Sequence, residues 1–177
     1  MSRRTIFVLA ALLIVAAVGA YFYLTASHKP LTLEEDEATF TDEFDLVLKD
    51  YDGADVRLAG FKRKFLVVYL WASWCPYCKQ EMENLAQLKE RYGDDIQVLA
   101  VNRAEPQPIA KAYTDSIQNV QDLVFLLDPN DLLYKDINGY AMPETVFINR
   151  RGDVLYHQRG PIQLQDVDEK IQELLSS

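Results

Sequence analysis

The sequence predicts an α/β domain in which a central mixed sheet is flanked by helices, with a short β-hairpin at its start and an antiparallel edge. Three observations point there. Phe65 to Trp71 is an unbroken apolar run, as expected for a strand buried on both faces. Strand and helix periodicities then alternate, the order of a layered sheet with crossover helices. About half of the 177 residues (49%) are hydrophobic and a quarter (25%) charged, which suits one ordinary domain with a core plus an appendage. This composition excludes whole-chain disorder. A formal net charge of −9 excludes a nucleic-acid binder that relies on phosphate neutralisation.

The appendage comes first. Thr5 to Leu24 are twenty consecutive uncharged positions rich in Leu, Ile, Val and Ala. As a helix they span roughly 30 Å, the thickness of a bilayer core. Arg3 and Arg4 precede the run, so the positive-inside rule keeps the amino terminus cytoplasmic and sends the remainder outward. The run is longer than a usual signal core and lacks a good small-x-small cleavage site, which favours a transmembrane anchor over residues 1–24. A signal cleaved near Thr25-Ala26-Ser27, or a twin-arginine signal, is the competing reading, and each puts the rest outside the cytoplasmic membrane. Residues 25–43, with Pro30 and the run Glu34 to Glu37, read as an acidic linker. The folded domain is expected over 44–177. It carries all 27 acidic residues with the linker, so the peptide anchor rather than surface charge would hold it at an anionic membrane.

Within that domain, Phe44 to Leu48 alternates as a strand, and Asp52-Gly53 supplies a turn to a return strand near Val56–Leu58. After the buried strand Phe65–Trp71, Met82, Leu85, Leu88 and Tyr92 recur at helical spacing up to Gly93. Ile96 to Val101 is a second buried strand, Pro108 to Gln118 a helix, and Leu123 to Leu127 a third strand. A short helix is expected to reach Lys135. Glu144 to Asn149 and Asp153 to Gln158 form a hairpin around Arg151-Gly152, and Leu164, Val167, Ile171 and Leu174 mark a final helix.

The chemistry sits in Trp74-Cys75-Pro76-Tyr77-Cys78, where the buried strand gives way to a helix. Cys75 and Cys78 are the only cysteines, so a disulfide-stapled scaffold is excluded. A Cys-x-x-Cys near a βαβ pattern reads as a thioredoxin-like redox motif. Two intervening residues let the sulfurs bond in a small ring and leave the first thiol at the helix amino end. Unpaired amides there favour a thiolate. Cys75 is therefore the expected nucleophile, partly exposed and acidic, and Cys78 the shielded resolving thiol. Pro76 fits the first helical turn. A zinc site is the weaker reading, because only His28, in the linker, and His157, expected on the hairpin surface, remain as further ligands of the usual soft type. The same scarcity leaves a Cys–His hydrolase little support. With no third cysteine, each turnover must end with an external partner resetting the pair.

Trp71 to Cys78, followed by Lys79-Gln80-Glu81, resembles the TlpA/ResA/CcmG-like membrane-anchored thioredoxin-family oxidoreductases. The resemblance continues through Leu127 to Asn130, Met142 to Asn149, Arg151 to Asp153 and Arg159 to Pro161, and covers roughly residues 40–175. It implies a thioredoxin-like fold with a strand–helix insertion, fitting residues 102–143, and no cofactor beyond the redox-active cysteine pair. By position it implies a cis-proline at Pro143, with Met142 pairing with the substrate chain, and a proton-transferring acid at Glu81. One helical turn brings Glu81 to the side of Cys78. Glu144 resembles the acid that follows the cis-proline in the CcmG branch. Trp74, Pro76, Tyr77, Tyr140 and Met142, with Glu144, form the expected substrate surface, whereas Trp71 is expected in the core. Two departures stand out. Tyr69 occupies the place where thioredoxins carry a buried acid, and Pro76-Tyr77 is the glutaredoxin pair, which leaves the potential open.

The resemblance implies an extracytoplasmic reductant of exported protein disulfides, with apocytochrome c or a copper-site protein as clients and a membrane thiol-electron transporter as donor. A disulfide-donating oxidase, a non-enzymatic copper or thiol carrier and a peroxide reductase are the competing functions.

Overall fold

The computed structural model describes residues 46–61 and 63–176. The anchor and linker expected over 1–24 and 25–43, and the start of the first strand, lie outside the described residues. Among the described residues no helix is long and apolar enough to cross a membrane.

Among the described residues, seven strands form one mixed sheet: β1 (Val47–Lys49), β2 (Asp55–Arg57), β3 (Phe65–Trp71), β4 (Ile96–Arg103), β5 (Val124–Asp128), β6 (Glu144–Ile148) and β7 (Val154–Arg159). Their order is β2-β1-β5-β4-β3-β6-β7. The central β5, β4 and β3 are parallel, while β1–β2 and β6–β7 flank them in antiparallel pairing. The expected antiparallel edge is thus present on both sides, because the opening hairpin docks onto β5 rather than standing apart. Its turn is held by the Asp50 carboxylate, which accepts from the N–H groups of Asp52 (2.9 Å) and Ala54 (2.8 Å). Gly53 supplies the positive φ of 83° that the turn requires.

Helices α1 (Cys78–Tyr92), α2 (Gln107–Thr114), α3 (Leu132–Asp136) and α4 (Leu164–Leu175) complete the layers. The strand–helix insertion expected over 102–143 holds α2, β5 and α3. Alternation along β3 explains its continuous hydrophobicity. Val67, Tyr69 and Trp71 pack under α1 and α4 with Met82, Leu85, Val167 and Ile171. Leu66, Val68 and Leu70 enter a second core with Leu99, Leu126, Leu133 and Val146. Each fully buried large side chain of this kind contributes ~2–3 kcal/mol through the area it removes from water. Helix α2 is shorter than the expected Pro108–Gln118. Its chain leaves the helix after Thr114, yet Ile117 and Val120 stay buried in the turns that follow. Burial at helix-like spacing therefore outlasts the helix itself.

Candidate active site

The sheet delivers its functional residues to one end. At the carboxyl end of β3 the chain turns through residues 72–77 before α1 begins at Cys78. Cys75 Sγ and Cys78 Sγ are joined in a disulfide at 2.11 Å, with Cα atoms 5.5 Å apart. Cys78 opens the helix, and Cys75 lies in the preceding turn, where its N–H donates to Ala72 O. Pro76 is accordingly in the turn rather than the first helical turn: Tyr77 is the N-cap, and its carbonyl accepts the first helical hydrogen bond, from the Glu81 N–H at 3.2 Å. A second expectation is also corrected: Cys75 is 2% exposed, not partly exposed, since in the disulfide both sulfurs pack into the core beneath α1.

Glu81 projects from the first turn of α1 into the same core and is 6% exposed. Its Oε1 accepts the Ile162 N–H at 3.0 Å. Oε2 is buried with no partner of ordinary hydrogen-bond geometry. Burial raises the carboxyl above the usual range, an effect only partly offset by the Ile162 N–H and the Tyr69 hydroxyl.

The Met142–Pro143 peptide bond is cis, at the entry to β6. Because Glu144 pairs with Leu70, this entry stands beside the end of β3 from which the cysteine turn departs. Pro143 O accepts the Gly160 N–H at 2.8 Å, and two residues later Ile162 bonds Glu81, so one short loop ties the proline to the buried acid. Met142 packs against the core that contains the cysteines. Trp74, Tyr77 and Tyr140 are 63%, 56% and 77% exposed, and Pro76 is exposed with them. The Arg159 guanidinium lies over the Tyr140 ring, 5.2 Å from its centre. Trp71 is fully buried and stacks on Tyr113.

Glu144 does not belong to the expected substrate surface. It is fully buried on the opposite face of the sheet. Its Oε1 accepts the N–H groups of Tyr140 (2.7 Å) and Ala141 (2.6 Å), and Oε2 lies 2.6 Å from His157 Nε2. The carboxylate is consumed in holding the loop that presents Tyr140 and Met142. His157, expected on the hairpin surface, is its largely buried partner.

A bonded cysteine pair at a helix head, a cis-proline beside it and a mixed sheet behind both together make a site suited to thiol-disulfide exchange. The redoxin family pattern matches residues 35–171. The chain belongs to the redoxin family. Thioredoxin-like protein YneN of Bacillus subtilis is 26% identical over 90% of this chain and 92% of its own. Thiol:disulfide interchange protein DsbE of Allochromatium vinosum is 32% identical over 62% of this chain and 59% of its own. Thiol-disulfide oxidoreductase ResA of Geobacillus kaustophilus is 25% identical over 73% of this chain and 74% of its own. Among solved structures, a DsbE-like protein from Chlorobium tepidum superposes with a TM-score of 0.69 at 24% identity, covering 74% of this chain and 93% of that one. The fold is thioredoxin-like, and this redoxin is a thiol-disulfide oxidoreductase of the kind named DsbE and ResA.

Two polar clusters of the redoxin escape sequence reasoning. Glu105, in the turn after β4, accepts the Ser73 N–H (2.8 Å), the Ser73 hydroxyl (2.5 Å) and Asn102 Nδ2 (2.7 Å), fixing the turn that leads into Cys75. Arg103 makes a two-pronged contact with Asp131 (2.9 and 2.6 Å) and covers the Tyr134 ring, while Tyr134 donates to Ala141 O. The insertion thereby braces the proline loop from behind. No spacing rule connects Ser73 to Glu105, 32 positions on. Among the described residues no group of three or more His, Cys, Asp and Glu is placed to hold a metal ion.

Proposed function

We propose that this redoxin is a membrane-tethered, extracytoplasmic reductant of exported protein disulfides, with the haem-attachment cysteines of apocytochrome c as the leading client and copper-site cysteines as the second. The observation that carries it is a Cys75–Cys78 pair with no further cysteine in the chain, set beneath exposed Trp74, Tyr77 and Tyr140. Such a site must exchange with partners on both sides of its cycle. The uncharged run Thr5–Leu24 supports the tether, and the relatives named DsbE and ResA support the client class.

Reduced Cys75 attacks one sulfur of the client disulfide as a thiolate. The mixed disulfide forms and the client's other sulfur leaves. Cys78 gives its proton to the Glu81 carboxylate, and its thiolate attacks Cys75 Sγ. The Cys75–Cys78 bond forms and the second client thiolate departs. Two electrons have passed to the client, whose thiolates take one proton through Glu81 and one from solvent. Pro143 presents the Met142 backbone to an extended client strand, and a membrane thiol-electron transporter returns the pair to the dithiol.

The test replaces Cys78 with Ala in the native host and identifies what stays covalently held on Cys75. Trapped apocytochromes or copper-site proteins are the expected result; a broad set of secreted folding proteins overturns it. The potential of the pair separates the directions, about −300 mV for a reductant and about −120 mV for a disulfide donor.

A further inference from the structure

Two buried polar atoms have no partner of ordinary hydrogen-bond geometry, Tyr69 Oη and Glu81 Oε2, and each side chain is the other's polar neighbour. Tyr69 is fully buried on β3, and Glu81 is buried on the first turn of α1. A buried hydroxyl and a buried carboxylate oxygen each lose several hydrogen bonds to water, so leaving both unmatched is costly. A shift of the two side chains toward each other satisfies both at once. We infer that Tyr69 is a positioning residue for Glu81: its hydroxyl donates to Oε2 when Glu81 is ionised, and so sets the pH at which that carboxylate can accept the Cys78 proton. The inference rests on the proton-transfer role of Glu81 proposed above.

The surroundings fit a donor at this place. Ile162 N–H already occupies Oε1, which leaves Oε2 as the oxygen free to take a proton. Burial and the neighbouring Glu81 carboxylate push the Tyr69 hydroxyl well up, with Tyr113 adding to the rise, so Tyr69 stays protonated and acts as a donor rather than a base. The polar groups at Glu81 are Tyr69 from β3 and the Ile162 amide from the loop before α4, and Cys78 stands one turn earlier on α1. Tyr113, from α2, acts on the tyrosine. A tyrosine hydroxyl both donates and accepts. It can thus bond the carboxylate before proton transfer and accept from the carboxylic acid after it, with no change in its own protonation.

The reduced protein mixed with an aromatic disulfide, dithiobis(nitrobenzoate), releases one nitrothiophenolate as Cys75 attacks and a second as Cys78 resolves the mixed disulfide. The pH profile of the second release reads Glu81. Tyr69→Phe removes a donor to the charged form, so its midpoint should rise by about one pH unit, with the first release unchanged. Glu81→Gln should abolish that limb, and Tyr69→Phe added to Glu81→Gln should change nothing further. Difluorotyrosine placed at position 69 keeps the shape and strengthens the donor, so the midpoint should fall; this arm holds even where the Phe variant does not fold. Profiles unmoved by either change at Tyr69, while Glu81→Gln loses the limb, overturn the inference alone. A limb that survives Glu81→Gln removes the Glu81 role itself.

Discussion

Glu81 and Glu144 are both nearly or wholly buried, stand at the same end of the sheet and lie on its opposite faces, yet their carboxylates are bonded in contrasting ways. Glu144 receives two backbone N–H groups on one oxygen and His157 on the other. Glu81 receives one backbone N–H and keeps its second oxygen unmatched. A saturated carboxylate fixes the backbone around it. An under-satisfied one sits where burial disfavours its charge, the property on which the proposed proton transfer from Cys78 draws. The protein thus uses one residue type as a clamp on one face and as a candidate base on the other.

The contrast can be broken most severely at the clamp. Glu144→Ala strands the Tyr140 and Ala141 amides and His157 together. It should cost ~3 kcal/mol and lower Tm by ~10 °C for a domain of this size; a thermal melt that barely moves would deny the clamp. Glu105→Ala should come next, at ~1–2 kcal/mol, because the Ser73 amide and hydroxyl lose one shared acceptor. A slower first release of nitrothiophenolate, reporting a loosened turn at Cys75, should accompany the fall in Tm.

The pH response sharpens the other side. Glu81 has a raised pKa in the folded oxidised protein, so the native state holds its proton more tightly than the unfolded chain does. Its contribution is fully present below the unfolded carboxyl value and is lost as pH rises through the folded one. The stability of Glu81→Gln relative to the parent should therefore improve as pH climbs from acid to neutral, measured by denaturant melts of the oxidised proteins. A gap that is constant across that range would remove the burial effect from the account. The smallest structural effect belongs to the exposed rim. Trp74→Ala and Tyr140→Ala should leave Tm nearly unchanged while raising KM for a protein client about tenfold, ~1.4 kcal/mol of lost contact. An unchanged KM would place docking elsewhere.

Much of this arrangement was legible residue by residue. Phe65–Trp71 is the central strand at the predicted bounds, since burial on both faces demands an uninterrupted apolar run. Cys75 and Cys78 are bonded at the head of a helix that runs to Tyr92 and stops at Gly93, where φ is +53°. Helix α2 ended early, because a turn can keep Ile117 and Val120 buried at spacings that imitate a helix. A single polar residue in a hairpin, such as His157, usually faces solvent, and the family resemblance places Glu144 on the substrate surface; neither pattern reveals a buried pair. Their burial becomes affordable only when each finds the other across two strands, and the pairing register that joins them is not written in either strand alone.

By itself the sequence determined the order of elements, the site of the cysteine chemistry and the need for external redox partners, all of which depend on local periodicity or on a count of residues. The tertiary structure alone decided how each buried acid is bonded. Hydrogen-bond satisfaction depends on which distant groups converge on a carboxylate: the Ile162 amide alone on Glu81, or Tyr140, Ala141 and His157 on Glu144. That convergence exists only once the chain has folded.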